Sequence, residues 1–361
     1  MYYIYDMKMK NEETIGMCVP LKHAEKIRNY LSGKKILRDD LKILRDEEYI
    51  YFPLKAIPKE LTSYITIKKV FEKKEAKLTS YKEIISIPEK LKHELPTSYD
   101  VLGDILLIKL PKNLLKYQKE IGESLLKSNK NIRTICLIEP VSGEFRTRNI
   151  MIIAGEKRTT TTHAEYGLTF DVDVKNTYFS PRLATERKRI ASLVKPGETI
   201  VDMFAGVAPF PIMIAKHANP KIIYAIDKNI KAVKYAQQNI KRNNVLDKIE
   251  VIHADAKKIC KILDQKDVKA DRIIMNLPFS AYLFFAHALK IMADNCVIHY
   301  YDILKEEKIC IRLENLKKIA EKNKTTLTNL HIRKIKTYAP REFYIGIDIT
   351  AKKNAAVAQP G

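Results

Sequence analysis

Residues 202–215, "DMFAGVAPFPIMIA", decide the fold. An aspartate closes an apolar strand, a turn of small residues follows, and an apolar helix opens after it. A turn of this shape receives a nucleotide-like cofactor, because parallel strands present their carboxyl ends to ligands and the helix N-terminus supplies unpaired N–H donors. Around it the chain alternates strand and helix. "ETIVDMF", "KIIYAID", "IEVIHAD", "RIIMNL" and "CVIHYYDI" read as strands, with helices such as "AVKYAQQNIKRNN" and "AYLFFAHALKIM" between them. That is an α/β doubly wound sheet. After a last helix, "RLENLKKIAEKN", the alternating segments "LHIRKIKTY" and "FYIGIDIT" read as a C-terminal antiparallel hairpin.

This domain is expected over 177–351. Before it, 66–176 reads as an α+β middle domain: a strand "DVLGDILLIKLP", a helix "NLLKYQKEIGESLLKSN", a strand "IRTICLIE", then a β-meander from "FRTRNIMIIAG" and "TTTTHAEYGLTFDVDV". Arg146 and Arg148 fall on one face of their strand, since strand periodicity is two. Residues 1–65 form a small N-terminal module, with a helix "LKHAEKIRNYLSG" ending at Gly33 and a strand in "EEYIYFPL". Residues 352–361 read as a disordered tail or an expression remnant.

A formal charge of +22 and a pI near 9.5 point to a polyanionic partner, nucleic acid first. Heat adaptation through lysine enrichment is the plain alternative. No apolar run approaches the length of a membrane span, and the N-terminus lacks a secretory core, so a cytoplasmic protein is expected. The five cysteines form no CxxC pair, which speaks against zinc and disulfides and for buried thiols.

A dinucleotide site wants G-x-G-x-x-G, because the pyrophosphate lies against bare backbone. Here Gly206 stands alone, with Ala208 at the second glycine position. A cofactor without a phosphate bridge, S-adenosylmethionine, fits better. Asp202 suits its ammonium, Asp227 at the end of the second strand suits two ribose hydroxyls, and Asp255 at the end of the third suits the adenine amino group. Each acid alone is also explained as a strand end or helix cap; their shared position is what argues for a ligand. On the fourth strand, Asn276-Leu277-Pro278-Phe279 resembles the (D/N)PP(Y/F)-type turn of methyltransferases acting on nitrogen. There Pro278 stiffens the chain, Asn276 can hydrogen-bond cofactor or base, and an aromatic residue nearby can stack on a base.

Taken in order, "GEFRTRN", "TYFSPRLATERKRI", "DMFAGVAPF", "IDKN", "HADA" and "MNLPFSA" resemble the archaeal and eukaryotic tRNA (guanine-37 N1)-methyltransferases over about residues 65–350. The departure is Ala208, where glycine is common. The resemblance implies a class I methyltransferase (Rossmann-like) catalytic domain, a middle domain gripping the anticodon stem-loop with it, and an N-terminal module touching the outer corner of tRNA. It also implies magnesium dependence, for which the sequence shows no acidic cluster; no metal ligand is assigned. A monomer suffices to grip one tRNA.

N1 of guanine is a poor nucleophile until its proton leaves and charge gathers on O6, so the reaction needs a base near N1 and a donor near O6. Glu186 is the candidate base. On a helix it shares a face with Leu183, Ile190 and Leu193, where desolvation would raise its pKa; an ion pair with Arg182 or Arg189 is the alternative. Arg146 is the candidate for O6, with Arg148 beside it for the same role or for phosphate, and Pro278 is expected at the substrate. Tyr178, Phe204 and Arg187 are expected on the cofactor side, with Asn276 between cofactor and base. Three other functions stay open: transfer of an aminocarboxypropyl group from the same cofactor, a non-catalytic RNA-binding protein, and a nicotinamide-dependent oxidoreductase, against which the missing glycines argue.

Overall fold

A computed structural model describes residues 11–74, 80–139 and 149–354, and divides the chain into two compact units, 1–83 and 84–361. Arg146 and Arg148 lie outside the described residues.

In the first unit, strands β1 (Asn11–Pro20), β2 (Leu44–Arg45), β3 (Tyr49–Pro53) and β4 (Ile65–Glu72) form an antiparallel sheet in the order β2-β3-β1-β4. Helix α1 (Ala24–Gly33) contributes Ile27 and Leu31 to a core with Met17, Val19, Phe52 and Leu54. The module therefore runs past the expected boundary at 65. Strand β4 pairs with β1 from Ile65 to Glu72 and buries Phe71, while its lysines stay on the open edge of the sheet, where charge discourages further pairing. That lysine content is why the sequence assigns residues from 66 onward to the next domain.

Two single-turn helices, α2 (Tyr81–Ile84) and α3 (Glu89–Lys92), precede a sheet of β5 (Asp100–Leu102), β6 (Ile105–Ile108), β7 (Thr134–Ile138) and β8 (Ile150–Gly155) in that order, with α4 (Gln118–Ser128) packed on it. "DVLGDILLIKLP" is two strands and not one. Gly103 turns the chain at φ +53°, and a Cβ there would stand 2.1 Å from Thr161 Oγ1. Strands β9 (Thr160–Glu165) and β10 (Leu168–Asp173) form a hairpin whose loop, Tyr166-Gly167, has positive φ at both residues, the backbone that matches strand twist.

The large sheet has the order β13-β12-β11-β14-β15-β17-β16. Its strands are β11 (Thr199–Asp202), β12 (Ile222–Asp227), β13 (Ile249–His253), β14 (Ala270–Met275), β15 (Met292–Lys305), β16 (Thr325–Ala339) and β17 (Glu342–Lys353). Strands β11 to β15 are parallel; β16 and β17 form the expected antiparallel hairpin, and it is β17 that inserts, antiparallel, between β15 and β16. Helices α5 (Ala184–Leu193), α6 (Pro209–His217), α7 (Ile230–Arg242), α8 (Ala256–Gln265), α9 (Phe285–Ile291) and α10 (Ile309–Lys322) accompany it. Two buried asparagines bind the β9–β10 hairpin here: Asp171 N–H donates to Asn239 Oδ1 at 2.7 Å and Thr169 N–H to Asn243 Oδ1 at 3.1 Å. Asp104 N–H also donates to Thr161 Oγ1 at 3.2 Å, so the hairpin bridges what the sequence divides at 176.

The tail begins later than expected. Lys352 and Lys353 pair with Thr326 and Thr325, because β17 continues as far as its partner does. Of the cysteines, Cys136, Cys260 and Cys296 are buried as expected, but Cys18 is half-buried and Cys310 is exposed on α10. Among the described residues no helix is long and apolar enough to cross a membrane.

Candidate active site

The site forms at the carboxyl ends of β11, β12 and β14. After β11 the chain turns through Gly206 at φ +56° and Ala208 at φ +64°, then enters α6. Ala208 is fully buried in a left-handed conformation that costs an L-residue roughly 1–2 kcal/mol. The turn survives the missing glycine, at the cost of strain.

Asp227 holds that turn. Its Oδ2 accepts from Gly206 N–H at 2.7 Å and its Oδ1 from Asn229 N–H at 2.8 Å. Burial raises its pKa, opposed by these N–H bonds. Asp227, Gly206, Phe204, Tyr178, Asp255 and Asn276 line one cavity, which brings six of the expected site residues together. Asp202 is buried at 1% exposure, immediately before Met203 and Phe204, which line the same cavity. Its Oδ1 accepts from Phe204 N–H at 3.2 Å, while Oδ2 has no hydrogen-bond partner. Burial, with a contribution from Asp227, pushes its pKa up to about 8. An orphaned buried carboxylate oxygen asks for a cation, and this fits a cofactor bearing an ammonium.

Asp255 lies two residues beyond the end of β13 and caps α8, accepting from Lys257 N–H at 2.9 Å. It serves the helix and lines the cavity at once. The sequence reading missed Phe284, which meets Phe204 edge-to-face at 4.9 Å and closes the cavity with Leu277. In "LFFAHALKI" it is indistinguishable from Phe285, which is core.

A second cavity shares Tyr178 with the first and is also lined by Arg182, Lys336, Tyr338 and Tyr344. The Tyr344 hydroxyl donates to Asn276 Oδ1, linking the two cavities through one hydrogen bond. Pro278 lines neither of them.

Two expectations are corrected. Arg187 is not at the cofactor cavity: at 1% exposure its Nε and Nη2 fork onto Glu165 at 2.6 and 2.5 Å, Nη2 also donates to Ser180 O at 3.1 Å, and its guanidinium lies over the Phe179 ring. A charge on an apolar helix face had to find a buried partner, and Glu165 on β9 provides it. The pKa of Glu186 moves down rather than up. Burial alone would raise it, but Arg189 donates two bonds to the carboxylate at 2.8 and 2.7 Å, Tyr301 OH donates at 2.9 Å and Arg333 at 3.2 Å. The Arg189 pair is thus present, with the carboxylate buried and the guanidinium half-buried. Leu193, expected on the same buried face, is 44% exposed.

Asp348 completes this cluster, bonded by Arg189, Arg333 and the buried His299. Its arginine and histidine bonds outweigh burial and hold its carboxyl far below the usual range. Among the described residues no group of three or more His, Cys, Asp or Glu is placed to hold a metal, so the magnesium expectation rests on the resemblance alone.

The chain matches the family model of the TRM5/TYW2 methyltransferase domain over residues 161–328, that of the TYW2 N-terminal domain over 81–159, and that of the tRNA methyltransferase 5 N-terminal domain over 16–62. It is 38% identical over 337 residues to the tRNA (guanine(37)-N(1))-methyltransferase Trm5b of Pyrococcus abyssi, covering 93% of this chain and 98% of that one. It is 37% identical over 255 residues to the tRNA(Phe) (4-demethylwyosine(37)-C(7)) aminocarboxypropyltransferase of Methanocaldococcus jannaschii, covering 69% of this chain and 96% of the relative. Among solved structures it resembles aTrm5 in complex with tRNALeu, with a TM-score of 0.69 at 35% identity over 93% of this chain and 99% of that one.

Proposed function

This chain belongs to the tRNA (guanine(37)-N(1))-methyltransferase family, and from that premise we propose how its residues perform the reaction. The protein is an S-adenosylmethionine-dependent methyltransferase that modifies N1 of guanosine 37 in tRNA. Its catalytic domain has the class I methyltransferase fold. The observation that carries the mechanistic reading is the pair of cavities meeting at Tyr178 and joined by the Tyr344–Asn276 bond. One takes the cofactor and the other admits the base.

When bound, S-adenosylmethionine supplies a methyl group on a sulfonium. Asp202 holds its ammonium, Asp227 its ribose hydroxyls and Asp255 its adenine amino group, while Phe204 and Phe284 flank the apolar part. Asn276, oriented by Tyr344, holds the target base, and Pro278 stiffens the turn that presents Asn276. Glu186 accepts the N1 proton, and Arg146 donates to O6 as charge builds there, with Arg148 on the same base or on phosphate. Glu186 lines neither cavity; it is bonded by Tyr301, whose ring packs 6.2 Å from that of Tyr344 at the second cavity, so its use as the base requires at least one arginine bond to give way and the carboxylate to move toward that cavity. The middle domain and catalytic domain grip the anticodon stem-loop, the N-terminal module touches the outer corner of tRNA, and one chain acts on one tRNA as a monomer in the cytoplasm.

Nucleoside mass spectrometry of tRNA carrying guanosine 37, incubated with protein and cofactor, should show one added methyl mapped to N1. A heavier adduct would favour aminocarboxypropyl transfer. The match of residues 16–62 to a methyltransferase N-terminal domain, together with the smaller share of this chain that the aminocarboxypropyl relative covers, speaks for methylation.

Asp227→Ala should weaken cofactor binding by roughly 10–150-fold in calorimetry, the loss of one to two hydrogen bonds to a charged group. A pH effect follows from Asp202. With its pKa near 8 it carries a proton at neutral pH in the free protein, and an arriving cation favours the ionised form, so binding expels a proton. Affinity should rise by up to about tenfold per pH unit from pH 6 until the cofactor's own ammonium begins to titrate, near pH 8. Calorimetry in buffers of different ionisation enthalpy should detect the released proton, and Asp202→Asn should abolish it; a wild-type protein that releases none would refute the role.

A further inference from the structure

Phe279 is the most conspicuous outlier outside the residues assigned above. It has φ +73°, a conformation that L side chains rarely adopt, and yet it carries a large ring that is 46% exposed. Strain of this kind costs roughly 1–3 kcal/mol and persists only where surrounding groups impose it. The imposing group is Asp302, fully buried on β15, whose Oδ1 accepts from Phe279 N–H at 2.8 Å. Asp302 is itself fixed by Ile303 N–H at 2.9 Å, by the Tyr300 hydroxyl at 2.7 Å and by Arg312, 3.1 Å away.

The ring so presented meets Tyr338 of β16 edge-on, with centroids 5.9 Å apart and planes at 74°. Tyr338 is 43% exposed and lines the second cavity beside Lys336. Phe279 lines neither cavity, although Asn276 and Leu277, three and two residues earlier, line the first. Through Tyr338 the ring adjoins the lining of the cavity that admits the base, outside the cavity assigned to the cofactor.

We propose that Phe279, braced edge-on by Tyr338, is a stacking platform whose ring face takes a nucleobase adjacent to the methylated guanosine. This deepens the proposed function and rests on it. Drawing one base out of a stacked loop leaves its neighbours unstacked, at a cost of a few kcal/mol. An exposed aromatic surface at the mouth of the cavity, beside a lysine for the backbone, offsets that cost without reading sequence.

The chain contains no tryptophan, so Phe279→Trp introduces a single indole at the platform. Its emission should be quenched as an unmodified anticodon stem-loop with guanosine at the target position is titrated in. Phe279→Leu keeps the same backbone strain and removes the ring; it should weaken binding of that stem-loop by about 5–150-fold, with cofactor affinity unchanged. Phe279→Gly relieves the strain, so thermal stability should hold or rise while stem-loop affinity falls as in the leucine variant. A ring that serves only the fold gives the opposite pattern, lost stability with intact RNA affinity, and overturns the proposal. Unchanged indole emission at saturating RNA overturns it too. If the wild-type protein methylates guanosine 37 and the indole stays silent, the platform alone fails; if the wild-type protein neither binds nor methylates the RNA, the parent reading fails with it.

Discussion

Replacing Glu186 by glutamine is expected to lower turnover on tRNA by roughly 10²–10⁴-fold, the range a positioned general base contributes, with cofactor affinity unchanged. Glutamine keeps the size of the side chain and one carbonyl acceptor for Tyr301, but it removes the charge facing Arg189 and Arg333 and sets an amide donor against an arginine N–H, so thermal stability is measured beside turnover. The free-enzyme pH profile separates a base from a structural anchor. Glu186 faces Arg189 on its own helix, Tyr301 on β15 and Arg333 on β16; Asp348 on β17 accepts from the same two arginines and is bonded in turn to His299 on β15, whose other ring nitrogen meets Arg272. The arginines and the tyrosine hold its carboxyl below 4.5 despite burial, so it is ionised throughout pH 5–8, and kcat/KM should show no acid limb from this group there.

Arg333→Met removes one of those positive charges. The pKa of Glu186 should rise, and the acid limb of kcat/KM should move to higher pH than in wild type. A profile in Arg333→Met identical to that of wild type, or full turnover in Glu186→Gln, would dismiss Glu186 as the base. The same cluster couples to stability. Because the folded-state pKa values of Glu186 and Asp348 are depressed, their contribution is complete above the ordinary carboxylate range and is lost as pH falls through those lowered values.

Arg187→Ala is expected to give the largest loss of stability, about 3–5 kcal/mol, because it leaves Glu165 buried without its partner. In a unit of this size that is a fall in Tm on the order of 10 °C in calorimetry. Lysine should not rescue it, since the two parallel bonds to Glu165 need a planar fork. Arg187→Met combined with Glu165→Gln should recover part of the loss, because the uncompensated charge is then gone. Stable folding of Arg187→Ala with weakened cofactor binding would restore the cofactor role that the sequence suggests and the structure replaces with an ion pair.

These two neighbours on α5 show where sequence reading stops. Helical spacing puts residues 183, 186 and 190 on one face, and all three are buried. Spacing says nothing of what comes to meet them. Arg187 sits one position from that stripe and finds Glu165, 22 residues earlier on another strand; Glu186 finds Arg333, 147 residues later. Pairings of that range exist only after the hairpins have closed. The sign of a pKa shift depends on them, since desolvation and salt bridging push a carboxylate in opposite directions. Likewise Phe284 and Phe285 are equivalent by composition, and only the turn after Asn276 decides that one lines the cavity while the other enters the core.

What the sequence determined by itself is local or periodic: the alternation of strand and helix, the glycine-poor turn after Asp202 that favours a cofactor without a pyrophosphate, the acids Asp202 and Asp227 at two strand ends, with Asp255 two residues past the third, the Asn-Leu-Pro-Phe turn and the basic balance. Each follows from backbone preference or side-chain chemistry within a few residues. The tertiary structure alone decided which strand Lys68 and Lys69 pair with, that β17 lies between β15 and β16, that Asp202 keeps an unpaired oxygen, and that Asp302 holds Phe279 at a positive φ. All four depend on which distant groups share a low-dielectric interior, where an unmatched polar atom is costly and a matched one sets the geometry.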